Sequence, residues 1–167
     1  MISTIISNNK PFNIAIKLNS ILIILFCLKV SSFCVAQQII FADAGLEAAS
    51  LSLQVKKELN FPDIKVQLGK NIAFQDFTVA LTNFKSRANF VLSESEQAAS
   101  RTVKLDNCDN FSDLKIQYGI DLPFPDVRIE LRENGMADYL IYTENGLISA
   151  PELIACLLPL IREKAKK

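Results

Sequence analysis

The stretch Phe61-Pro62-Asp63-Ile64-Lys65-Val66-Gln67-Leu68 returns fifty residues later as Phe111-Ser112-Asp113-Leu114-Lys115-Ile116-Gln117-Tyr118, and glycine follows each copy, at Gly69 and Gly119. The same order of residue types recurs at Phe74-Gln75-Asp76-Phe77-Thr78-Val79-Ala80-Leu81 and Phe124-Pro125-Asp126-Val127-Arg128-Ile129-Glu130-Leu131. Units begin at Ala48, Phe61, Phe74, Arg87, Ala98, Phe111, Phe124 and Met136, a spacing close to thirteen residues. Eight similar units must occupy eight similar surroundings, which restricts the chain to a repetitive architecture.

Within a unit the apolar residues alternate with polar ones. Ile64, Val66 and Leu68 share one side while Lys65 and Gln67 take the other, as in a half-buried strand. β-Branched residues at Val66, Val79, Val103, Ile116, Val127, Ile129 and Ile141 favour the same state. Thirteen residues hold a short strand and a connection of similar length, too little for a strand, helix and strand crossover. The expected fold class is therefore mainly β: eight short strands, antiparallel to their neighbours, plus a C-terminal helix. Ala48-Ala49-Ser50 matches Ala98-Ala99-Ser100, so residues 48–97 and 98–147 read as duplicated halves around one pseudo-symmetric core. The phenylalanines that start four units are expected inside that core.

The remaining segments read differently. Residues 37–47 form a lead-in in which Ile39-Ile40-Phe41 can pair as an extra strand. The polar run Ser93-Glu94-Ser95-Glu96-Gln97 reads as a solvated hinge between the halves. After Asn145-Gly146 the period becomes helical over residues 148–167, with Ser149 and Glu152 in capping-box spacing and Leu153, Ile154, Leu157, Leu158 and Ile161 on one face. Pro159 is expected to kink or break this helix, which reads as a lid on the open face of a sheet.

Residues 1–36 contain Lys10, Lys17 and Lys29 and no acid, whereas residues 37–167 carry 15 Lys/Arg against 18 Asp/Glu. The first segment has the form of a secretory signal: a basic start, an apolar run over Ser20–Val30, and Cys34-Val35-Ala36 before a cleavage site. The run is too short to span a bilayer, so the mature chain is expected to begin at Gln37, to have no transmembrane segment, and to be periplasmic or secreted. Its two cysteines, Cys108 and Cys156, either form one disulfide or leave Cys156 as a small core residue.

Asp63, Asp76, Asp113, Asp126 and Asp138 hold one position in five units. Converging carboxylates would suit a calcium ion, but Ser50, Asn89 and Ser100 fill the same slot without charge, which favours bonding to backbone N–H groups of the incoming turn. Lys65, Lys115 and Arg128, with Thr78 and Thr102 in equivalent places, form either a stripe for an anionic or glycan ligand or a solvated face. The chain has no histidine, which removes Ser-His and Cys-His nucleophile pairs and His-ligated zinc. No phosphate-cradling glycine loop is present, and the acidic balance argues against nucleic acid. These observations point to a non-catalytic binding or structural module with an envelope or extracellular partner and no cofactor. The alternatives are a small hydrolase using paired carboxylates and a calcium-stabilised repeat protein.

The unit Met136-Ala137-Asp138-Tyr139-Leu140-Ile141-Tyr142 resembles the repeat of the septoil-knot family of exported bacterial proteins. The resemblance covers residues 48–143 and implies a compact β-rich domain with a knotted backbone. It carries no functional residues, because the family pattern marks structural positions.

Overall fold

The computed structural model describes residues 37–46, 49–106, 112–133 and 136–166. The elements follow in the order β1 (Gln38–Asp43), β2 (Leu51–Lys56), β3 (Ile64–Gly69), β4 (Phe77–Leu81), β5 (Phe90–Leu92), β6 (Arg101–Leu105), β7 (Leu114–Gly119), β8 (Val127–Arg132), β9 (Tyr139–Thr143) and α1 (Ala150–Ala165). Each repeat unit supplies one strand and the lead-in supplies β1. The fold is mainly β with a C-terminal helix, as the periodicity predicts. The strands close into a barrel with the order β1-β5-β9-β4-β8-β3-β7-β2-β6.

Every pairing is parallel, which overturns the antiparallel expectation. The reason lies in the register. Asp126 stands level with Lys65 and Asp63 with Lys115, a two-residue stagger that recurs at each junction between repeat strands. With strands about 4.8 Å apart and about 3.3 Å per residue, this stagger tilts the strands steeply and spaces equivalent residues about 8 Å apart around the rim. A six-residue strand of about 20 Å then moves sideways by about 16 Å, two rim steps. Its end stands over the start of the strand two places along, and that is where the chain goes next. Connections of six to eight residues suffice, because they need only return along the height of the barrel. The dozen residues that a parallel crossover ordinarily requires apply to flatter sheets.

The same winding explains the fifty-residue duplication. Matching strands are neighbours, β2 with β6, β3 with β7, β4 with β8 and β5 with β9. The two halves interleave around the ring, and residues 93–97 are one more connection, with Ser93 buried. No hinge separates the copies.

Ile40, Leu53, Val66, Val103, Ile116, Val127, Ile129 and Ile141 point inward and are fully buried. The helix runs through the middle of them. Leu153 to Leu158, six consecutive residues and so more than one complete turn, are all buried, which only an element surrounded on every side achieves. The stagger and strand number give a backbone radius of roughly 11 Å, room for a helix about 10 Å across together with the strand side chains. α1 is therefore the core of the barrel, not a lid. Its first turn adjoins Leu68, Leu81 and Leu131 late in their strands, and Leu158 and Arg162 adjoin Ser50, Leu51 and Arg101 near strand starts. It thus runs opposite to the strands. Tyr139 packs edge-on against Phe77, with centroids 5.6 Å apart, and at a tilt against Phe90, at 6.0 Å.

Ser149 and Glu152 form the expected capping box. Of the two outcomes expected at Pro159, a kink or a break, the break does not occur: the helix continues as one element across it. Proline has no N–H to offer the carbonyl of Ala155 four residues earlier, and Arg101, reaching in from β6, donates from Nη2 to that carbonyl at 2.9 Å and to that of Cys156 at 3.4 Å. Burial lowers the Arg101 pKa from its ordinary value. Cys156 is a free, buried thiol whose pKa burial pushes up to about 12. Cys108 lies outside the described residues, as do residues 1–36, Ala48 and Phe111.

Candidate docking rim at the strand-start mouth

The stagger leaves a structural problem at the mouth where the strands begin. Each strand's second residue stands beside a neighbour that has not yet started its ladder, so its N–H lacks a sheet acceptor. The recurrent polar residue solves this. Asp63 Oδ2 accepts from the Lys115 N–H at 2.7 Å, and Asp126 Oδ2 from the Lys65 N–H at 2.7 Å. Asp76 accepts from the Arg128 N–H at 2.8 Å, Asp113 from the Ser52 N–H at 2.8 Å and Asp138 from the Thr78 N–H at 2.7 Å. Asn89 and Ser100 receive the N–H groups of Leu140 and Ile39 in the same way. Ser50 bonds instead to the Thr102 hydroxyl and carbonyl. Gln37 closes the ring by donating its amide to the carbonyls of Lys85 and Ala88.

The donors therefore belong to the adjacent strand, not to the incoming turn. The five aspartates lead into five consecutive strands, β9, β4, β8, β3 and β7, each in its own clamp, and among the described residues no group of three or more His, Cys, Asp or Glu is placed to hold a metal ion. Thr78 and Thr102 are likewise parts of clamps. The Thr78 backbone N–H, with the Thr78 hydroxyl second, holds the Asp138 carboxyl below its ordinary value of 3.8. A depressed carboxyl contributes stability above the unfolded-state value and loses it as pH falls toward the folded one. Asp138→Asn should accordingly flatten the decline in unfolding midpoint below about pH 4, measured by urea titration across the acid range.

Two residues ahead of three of these clamps stand Phe61, Phe74 and Phe124. They were expected in the core, and they are 93 %, 91 % and 91 % exposed. Their backbones have φ of 59°, 58° and 52°, in the left-handed region. An L-residue there costs roughly 1–2 kcal/mol, a penalty that asparagine tolerates best, as at Asn71 with φ of 55°. Phenylalanine adds a large apolar ring in water and gains no packing in return. β4, β8 and β3 are consecutive in the barrel, so Phe74, Phe124 and Phe61 stand side by side, about 8 Å apart. On the next strand, β9, Met136 fills the same slot and is 92 % exposed. Behind this arc Asp63 and Asp126 have a cation two residues on, Lys65 and Arg128, as Asp113 has Lys115 on the neighbouring β7, whereas Asp76 and Asp138 are followed there by Thr78 and Leu140.

The opposite mouth holds an apolar pocket of about 510 Å³ lined in part by Leu68, Val79, Leu131, Ile148 and Leu153. The cations at its edge are already paired, Lys70 with Glu133 and Arg132 with Glu130. No helix among the described residues is long and apolar enough to cross a membrane. Comparison with protein-family models and with curated proteins finds no match to this chain.

Proposed function

We propose that this protein is an exported, non-catalytic binding module that docks through the arc of Phe61, Phe74, Phe124 and Met136 at the strand-start mouth. One observation carries the reading: three adjacent phenylalanines occupy strained, solvent-exposed positions in which they do nothing for the fold. Strain of this kind concentrates where function requires it, and an exposed apolar patch marks an interaction surface. The signal-like character of residues 1–36 supports a periplasmic or secreted setting with an envelope or extracellular partner.

The test is a trade of stability against adhesion. Phe61→Asn, Phe74→Asn and Phe124→Asn should each leave stability unchanged or raise it by up to about 1 kcal/mol, since asparagine accepts a positive φ more readily. The triple variant should also bind less of a hydrophobic dye. A fall in melting temperature by several degrees would show that the rings hold the barrel together, and the reading would fail.

A further inference from the structure

We infer that the partner of this rim is a zwitterionic phospholipid surface, with the phenylalanine rings seated at the boundary between headgroups and acyl chains. The inference rests on the docking reading above and specifies its partner. Three features lead to it. First, the rings project separately from a convex rim: each is more than nine-tenths exposed, and none shares a groove with another. A protein partner would need three pockets at matching intervals, whereas a fluid apolar layer receives all three at once. Second, equivalent positions on β4, β8 and β3 lie level around the mouth because the stagger repeats from strand to strand. Rings at one level reach one depth, as insertion by several ångströms into a flat interface demands. Third, the charge behind the rings is mixed and carries no cationic excess: Asp63 with Lys65, Asp126 with Arg128 and, on the neighbouring β7, Asp113 with Lys115 pair opposite signs, while Asp76 and Asp138 add acid on β4 and β9. Such a belt offers each sign of a phosphate–amine headgroup an opposite partner. It provides no excess positive field to select anionic lipid.

The chain contains no tryptophan, so one introduced at the rim is a unique reporter. The chain from Gln37 to Lys167, a compact unit by itself and the form expected after export, is mixed with vesicles of phosphatidylcholine and phosphatidylethanolamine, and binding is read by co-flotation. Phe124→Trp should bind like the parent, and its emission should shift to the blue as the indole leaves water. Each Phe→Asn substitution should weaken binding about tenfold, and the triple variant by several hundredfold or more. Raising the salt from low to physiological concentration should change little, and adding anionic lipid should not tighten binding.

Binding confined to anionic vesicles and abolished by salt would overturn the inference, since basic residues would then be responsible. So would triple-variant binding equal to the parent's, which would place the contact elsewhere in the chain. If the parent ignores vesicles while the triple variant still loses hydrophobic-dye binding at unchanged stability, the lipid assignment fails and the docking rim stands. If dye binding does not change either, both fail.

Discussion

Leu157→Ala should lower the stability of the whole protein by about 2–5 kcal/mol, the range for emptying a large aliphatic position in a closed core. Leu157 is fully buried on a helix that the barrel encloses. The upper part of the range is expected, because strands hydrogen-bonded into a ring cannot move inward to fill the space left behind. Equilibrium unfolding followed by far-ultraviolet circular dichroism and by tyrosine fluorescence checks this. Both signals should shift together in a single transition. A helix lying on the outside as a lid would give a different result: the variant would release the helix first and leave the barrel transition where it was.

Arg101→Leu should cost about 1–3 kcal/mol, the penalty for leaving a buried acceptor unpaired, and that cost should shrink when Pro159 is also replaced by alanine. The two residues are linked through a carbonyl. Pro159 cannot donate to Ala155, and the Arg101 guanidinium donates in its place at 2.9 Å. Pro159→Ala restores an N–H at that point, so the helix closes its own bond and the arginine becomes dispensable. A double-mutant cycle should show coupling on the order of 1 kcal/mol between positions 58 residues apart in sequence. Strict additivity would mean that Arg101 acts through something other than this carbonyl.

The clamps and the rim share one origin in the winding of the chain. Each strand starts two residues out of step with its neighbour, so each needs a polar residue to satisfy an N–H that the ladder misses. Just outside that residue the backbone turns sharply, through a left-handed conformation at Phe61, Phe74 and Phe124. The clamps therefore fix the backbone positions around the mouth, and on four consecutive strands the side chains that project from them are large and apolar. A scaffold that fixes the backbone under projecting rings at one level leaves only their side-chain rotamers to be ordered on contact, which favours a docking surface.

Much of this is legible in the sequence. Alternation over Ile64, Val66 and Leu68 placed the inward residues correctly, and Ile39-Ile40-Phe41 supplied the ninth strand. The capping box at Ser149 and Glu152 marked the start of the helix. The fate of the phenylalanines was misread because hydrophobicity favours burial, and a positive φ leaves no trace when the residue is neither glycine nor asparagine. A signal was nevertheless present: Arg87 and Ala98 fill the same slot in other units, and a position that accepts arginine is not a core position.

Periodicity and caps, then, are properties of adjacent residues, and the sequence by itself determined them: strand number, the inward face of each strand, and the helix. Strand direction, barrel closure, the enclosure of the helix and the partner of each aspartate were decided only by the tertiary structure. The physical reason is distance along the chain. An alternating six-residue segment looks the same in a parallel or an antiparallel ladder, and the clamp partners Asp63 and Lys115, or Asp126 and Lys65, lie 52 and 61 residues apart, where no local rule reaches.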